Sequence, residues 1–513
     1  MLSRKSSIPL AVTAITILAV LYTARIGAWY GLDEPYYPSD PHRSHHAPQG
    51  AFEEPPPSPP PGLLPPPTNA PTDPACEGFP DTSNVLLVMK TGASEAFARV
   101  PTHLMTTLRC LPDFLIFSDM DQNIAGQQIH DSLSTVLPEA QEGNQDFDLY
   151  RRQKWCVVNQ DSCNKLGNPA DEGWALDKYK NIHIAEKTYA MRPGYDWYLF
   201  IDADTYVLWP NLMQWLKTLD PAEKLYLGSV TVINNFNFAH GGSGYIVSKA
   251  AMEEFVGKHP GVGNEYDVRA KNECCGDYLF ALALKAKTEV AVQQMWPTIN
   301  GEKPSTLPFG PTHWCHPIVT MHHMNAEELN TFWQFERRHL LQSTTTIITH
   351  QHGQSTKTRS PPPPSPPPPR PLLMKDIYTA YVAPYLNASR DDWDNLADNR
   401  FYLDPARNSS WEDWKLQRSK KPAELNEHER MAHLSFEHCR AACKSLGGDE
   451  CFRFRYEDGA CSIGDAFVLG KPVKKPDGEM VGVKSGWMVE RIQAWIQRQG
   501  ASCDKVKWPE VKG

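Results

Sequence analysis

Along residues 81–338 the hydrophobic positions fall in short continuous runs that alternate with stretches of helical spacing. "NVLLVMKTG" (84–92) reads as a buried strand leaving through a turn, "AFARVPTHLMTTL" (96–108) as the following helix, and "DFLIFSD" (113–119) as the next strand. "DKYKNIHIAEKTYAM" (177–191) sets Tyr179, Ile182, Ala185, Glu186 and Tyr189 at helical spacing, so one face is expected to pack on a sheet. Then "DWYLFIDADTYV" (196–207) runs apolar into two aspartates. This alternation predicts an α/β sheet with covering helices. In such sheets the ligand crevice lies beyond the carboxyl ends of the strands, where Asp202 and Asp204 stand.

Two proline-rich stretches break the pattern: the region 34–74, which includes "EEPPPSPPPGLLPPPTNAPTDP", and "RSPPPPSPPPPRP" (359–371). Both favour extended polyproline II and bury no core, so they read as a stem and a linker. The expected division is an anchor over 1–33, a stem over 34–75, a first folded domain over 76–345, a linker over 346–372, a connecting segment over 373–430 and a small domain over 431–505. The proline run should leave the two folded blocks independent of each other, any cysteine bridge aside.

Composition narrows the setting. The 513 residues, 41% hydrophobic and 22% charged, suffice for more than one core. A formal charge of −9 without a basic block argues against nucleic acid as a partner. Twelve cysteines without a CxxC pair fit an oxidising compartment better than zinc sites. The odd numbers before and after the linker leave a bridge between the blocks open, with Cys503 unassigned. Arg4 and Lys5 precede the apolar run "IPLAVTAITILAVLYTA", whose length lies between a signal-peptide core and a membrane span. A retained anchor is the favoured reading, because the run leads into a stem; cleavage near "RIGAWY" is the alternative. Either places the bulk of the chain on the lumenal or extracellular side. The "NAS" at Asn387 and "NSS" at Asn408 are glycan acceptors in that setting.

Asp202 and Asp204 are i and i+2, so in extended backbone both carboxylates face one side. Two such groups repel unless a cation lies beside them, and hard oxygen ligands suit Mn²⁺ or Mg²⁺. The alternative is a solvated turn in which the aspartates cap the next segment.

Several segments in a fixed order add a resemblance. The opening strand, helix and second strand, then "WYLFIDADTYV", "GGSGYIVSKAAM" (241–252), "CCGDYLFALAL" (274–284) and "CHPIVTMHHM" (315–324), resemble the fringe and core 1 β1,3-galactosyltransferase branch of glycosyltransferase family 31, fungal-type. The likeness spans most of residues 85–325. It departs from the family at Asp202-Ala203-Asp204, where three acids are usual, and at the paired histidines, where one is expected.

The resemblance implies a GT-A, Rossmann-like fold, a UDP-sugar donor, Mn²⁺ with Mg²⁺ as the alternative ion, and inversion at the anomeric carbon. It implies metal ligation by Asp204, with Asp202 reaching the metal or ribose, and by His322, with His323 its rival. Asp277 is the implied base, against the plainer reading of a helix cap. Gly241, Gly242 and Gly244 would bring backbone close to donor and acceptor, and Lys90, Thr91 and Asp119 would contact the nucleotide at the ends of the first two strands.

After the linker, "CRAACKSLGGDECFRFRYEDGACSIG" (439–464) resembles a PAN/apple module, a small disulfide-rich α+β domain, and implies the pairs Cys439–Cys461 and Cys443–Cys451. The expectation is therefore an inverting, metal-dependent glycosyltransferase moving a hexose of galactose or N-acetylglucosamine type, with β1,3 linkage, to a glycan or glycoprotein hydroxyl. It would be a single-pass type II protein of the Golgi membrane, held by its N-terminal helix. The competing expectation is an inactive, secreted or cell-surface carbohydrate- or protein-binding protein that uses the apple-like module.

Overall fold

The computed structural model describes residues 73–352, 370–473, 482–500, 503 and 506–512. The expected anchor, nearly all of the stem and most of the proline linker lie outside these residues. Among the described residues no helix is long and apolar enough to cross a membrane.

The first block is built on strands β1 (Val85–Lys90), β2 (Phe114–Ser118), β3 (Gln122–Ile124), β4 (Gln127–Asp131), β5 (Trp197–Asp202), β6 (Tyr206–Val207), β7 (Tyr226–Gly228), β8 (Val230–Ile233), β9 (Phe236–Ala239), β10 (Tyr245–Ser248), β11 (Gln293–Gln294) and β12 (Thr320–Met321). Eight of them form one sheet in the order β11-β7-β10-β5-β1-β2-β4-β3. At its centre β1 runs parallel to both β2 and β5, while β10 runs antiparallel to β5. Strands covered on both faces need no polar alternation, which is why "VLLVM" and "WYLFI" read as unbroken apolar runs. Alternate residues still part to opposite sides. Leu86 and Val88 join Tyr198, Phe200 and Phe280 in one core, and Val85, Leu87 and Met89 join Trp197, Leu199 and Ile201 in the other.

The helix Asn181–Met191 begins later than its spacing suggests, and Tyr179 is buried in the turn before it. Ile182 and Ala185 enter the core as expected. Glu186 instead accepts from the backbone N–H groups of Gly261 and Gly263, holding the next loop.

The second block carries a five-stranded antiparallel sheet in the order Ser389–Asp391, Val483–Trp487, Arg453–Glu457, Ala460–Gly464, Arg400–Leu403. The helix Phe436–Ser445 packs beside it through Cys439 and Cys443, which pair with Cys461 and Cys451 as the resemblance implies. All twelve cysteines are bonded, the others as Cys76–Cys110, Cys156–Cys163, Cys274–Cys275 and Cys315–Cys503.

The expected independence of the two blocks does not hold. Tyr206, Phe309, Trp314 and Phe332 of the first share one buried cluster with Met374, Tyr378, Phe467 and Trp495 of the second. The Cys315–Cys503 bridge and a backbone pairing of Phe309 with Phe467 fasten the same junction. A proline run sets how far two ends can separate, but exposed apolar surface on both sides decides whether they do.

Candidate functional site

The carboxyl ends of β1 and β5 lie side by side, with Lys90 in register with Asp202. The Lys90 ammonium sits 3.3 Å from Asp202 Oδ1 and 2.6 Å from Asp177 Oδ2. Burial alone would depress its pKa, but Asp177, Asp202 and Asp277 outweigh that and raise it, so Lys90 is held charged. A second cation lies beneath. Lys180 Nζ is 2.5 Å from Asp119 Oδ1 and 3.6 Å from Asp177 Oδ1.

Asp119 is fully buried and does not reach the cavity, contrary to the expected nucleotide contact. Its Oδ2 accepts from Ala93 N–H, so it shapes the Thr91–Ala93 turn from behind. Lys90 and Thr91 do line the cavity.

Strand β5 ends at Asp202, and Asp204 lies in the turn that follows, so the extended-backbone argument for a shared face fails there. Thr205 N–H closes that turn on the Asp202 carbonyl, while Thr205 Oγ1 donates to the Gly242 carbonyl. The two carboxylates consequently part: Asp202 turns to Lys90 and Asp204 to the histidines. His103, buried at the back, meets the Ala203 carbonyl through Nε2 at 2.9 Å. A carbonyl only accepts, so that nitrogen carries hydrogen; burial pushes the ring's pKa down to about 4, keeping it neutral.

The segment after β12 delivers His322 and His323. His322 Nε2 lies 3.1 Å from Asp204 Oδ1, and His323 Nδ1 lies 4.0 Å from Asp204 Oδ2. One ligand atom from each of these three residues falls within 4.8 Å of the others. Asp202 is outside that group. His322 is buried, and among the described residues its Nδ1 has no hydrogen-bond partner. His323 is exposed and adopts φ +59°, a left-handed conformation few non-glycine residues take and one that clusters at functional sites. One carboxylate and two imidazoles are a donor set suited to a divalent transition ion, Mn²⁺ included. Gly242 makes room for this arrangement, because a Cβ there would overlap the His322 ring.

Asp277 is the second residue of the helix Gly276–Thr288, whose N-cap is Cys275, so it is not itself the cap. Its Oδ2 accepts from Gly241 N–H at 2.7 Å and its Oδ1 from Tyr278 N–H at 2.8 Å. Burial raises its pKa against the opposing pull of Gly241, Lys90 and His240. Gly241 and Gly242 line the cavity, but Gly244 does not. At φ +80° it turns the chain into β10, where a Cβ would press on the Phe200 carbonyl and the Ile201 side chain.

The residues that do reach it surround one cavity of about 760 Å³. That is within the range of small-molecule sites. Sequence reasoning did not single out His240, Asp177, Lys180, Trp174 or the Cys274–Cys275 disulfide. His240, Asp177, Trp174 and the disulfide line the cavity, as does Lys180 above its buried ion pair. Burial lowers the pKa of His240, whose Nδ1 accepts from Ser243 N–H. Its position directly before "GGSG" was the one available signal.

Compared with known families, residues 83–296 match the model described as Fringe-like. The match includes Asp202, Asp204, Gly241–Gly244 and Asp277 and ends before His322 and His323.

Proposed function

We propose, from the premise that residues 83–296 form a Fringe-like glycosyltransferase domain, that this protein is a metal-dependent, inverting hexosyltransferase of the secretory pathway. The donor would be a UDP-hexose of galactose or N-acetylglucosamine type, and the product a β1,3 linkage to a glycan or glycoprotein. The observation that carries the reading is that the Asp204, His322 and His323 cluster and the carboxylate of Asp277 face the same cavity. Asp204 and His322 would hold a divalent ion, with His323 as third ligand, and the two imidazoles favour Mn²⁺ over Mg²⁺. Such an ion supplies charge neutralisation to a departing diphosphate.

The chain's own residues account for the rest. Asp277, with its pKa raised, accepts the proton of the acceptor hydroxyl as that oxygen bonds to the anomeric carbon and the bond to the nucleotide diphosphate breaks. Attack from the face opposite the leaving group inverts the centre, by the logic of inverting glycoside hydrolysis. Gly241 N–H and Tyr278 N–H fix the carboxylate while leaving each oxygen a lone pair. Lys90 holds Asp177 and Asp202 at the cavity floor.

The bonding of all twelve cysteines supports an oxidising lumen. The basic pair ahead of the apolar run 8–24 supports an anchor of type II orientation, which the Golgi reading requires. The test is nucleotide release from a panel of UDP-sugars with Mn²⁺ and with chelator. Release that requires the ion supports the reading, and no release from any of them refutes it.

A further inference from the structure

A second concavity, of about 640 Å³, lies on the junction between the two blocks. One wall comes from the segment between β11 and β12, through Trp296, Glu302 and Pro308. The opposite wall comes from the second block, through Trp414, Asp398 and Asp465. The walls are pinned together. Phe309 and Phe467 exchange two backbone hydrogen bonds, and Gly470 N–H donates to the Ser305 carbonyl at 2.6 Å.

Trp296 and Trp414 are 39% and 45% exposed, a large apolar area to leave in water. Neither is loose. Trp414 stands edge-on to Phe401 at 5.2 Å and has the Lys415 ammonium and the Arg418 guanidinium over its ring at 5.5 and 5.6 Å, while Trp296 stands edge-on to His313 at 4.9 Å. The two arginines of the lining are already committed. Arg453 donates to the carbonyls of Asn395, Leu396 and Ala466, and Arg455 faces Asp394 and Glu457. Asp398 pairs with Arg418 through Oδ2 and Glu302 accepts from Thr306 Oγ1, so their remaining oxygens, together with Asp465, set the polar character of the groove, and they are acceptors.

We infer that this groove is a second binding site for a neutral, hydroxyl-rich oligosaccharide. Tryptophan faces cover the C–H faces of sugar rings, and carboxylates take hydroxyl protons; both are present, while no uncommitted arginine in the lining favours an anionic ligand. The groove also adjoins the candidate active site, since the Glu302 carbonyl accepts from His322 N–H at 3.3 Å. The same short segment therefore forms a wall of the groove and fixes a candidate metal ligand. An acceptor glycan could be held here while its end is modified. This last step rests on the glycosyltransferase reading, whereas the binding itself does not.

The test uses the full chain without donor, on a printed panel of neutral and acidic oligosaccharides. The wild type and Asp277→Asn should retain neutral oligosaccharides equally, and Trp414→Ala should weaken that retention by about tenfold or more. Trp296→Ala, on the other wall, should do the same, and Trp414→Phe should recover most of it. With no acceptor present, nucleotide release from a UDP-sugar by Trp414→Ala should equal that of the wild type, which separates this site from the donor site. Retention of acidic oligosaccharides alone, no retention of neutral ones, or retention indifferent to both tryptophans would overturn the inference.

Discussion

His322 Nε2 lies 3.1 Å from Asp204 Oδ1, joining the turn after β5 to the segment after β12 at the mouth of a single cavity. The contact depends on the missing side chain of Gly242, whose α-carbon faces the imidazole.

Gly242→Ala should therefore act on the candidate metal site without removing a charge or a ligand. Displacing the His322 ring should weaken Mn²⁺ binding by roughly 10–100-fold, the scale of losing a group that orients a ligand. Calorimetric titration with Mn²⁺ measures this. Unchanged affinity would mean that His322 is not a ligand.

Asp277→Asn should leave Mn²⁺ and nucleotide binding near the wild-type level and slow sugar transfer by at least ~100-fold. In the wild type, burial raises this carboxyl above the ordinary 3.8, and the ionised form is the base. Plots of log kcat/KM should accordingly fall with unit slope as pH drops below an inflection above 3.8, and the variant should lack that limb.

Much of this site was legible in the sequence, for uneven reasons. The apolar strands, and the carboxylates at the end of β5, follow from periodicity and from where α/β sheets place their crevices. The direction of Asp204 did not, because a turn begins one residue earlier than an extended reading assumes. Asp119 reads as a nucleotide contact at a strand end, and its burial depends on Lys180, a partner whose position no local pattern reveals. The apolar residues that join the two blocks, among them Phe309, Tyr378 and Trp495, look locally like two separate cores; one shared core appears only in three dimensions.

That shared core makes a prediction about truncation. A chain ending at residue 352 would expose Phe309, Trp314 and Phe332 and lose the Cys315–Cys503 bridge. Each large apolar side chain so uncovered costs roughly 1.5–3 kcal/mol. The truncated protein should aggregate or melt well below the full chain by calorimetry, even though every candidate catalytic residue remains.

Glu336 provides a separate test of the packing behind the site. It is buried, receives the Tyr206 hydroxyl at 2.5 Å, and burial pushes its pKa from 4.5 up to about 8. The folded form therefore binds a proton that the unfolded form releases across that interval. Its contribution is fully present below pH 4.5 and is lost as pH rises towards 8. Glu336→Gln should flatten this dependence and melt above the wild type at pH 8, which thermal scans from pH 5 to 8 would show.

The division of labour at the cavity is the central claim, and one paired measurement tests it most directly: Mn²⁺ affinity together with nucleotide release from the best UDP-sugar, in Asp204→Asn and Asp277→Asn. Asp204→Asn should lose both with the fold intact, since it removes a charge from the ion's ligand set. Asp277→Asn should keep Mn²⁺ affinity and lose transfer. Full Mn²⁺-dependent activity in Asp204→Asn, or in Asp277→Asn, would contradict the account.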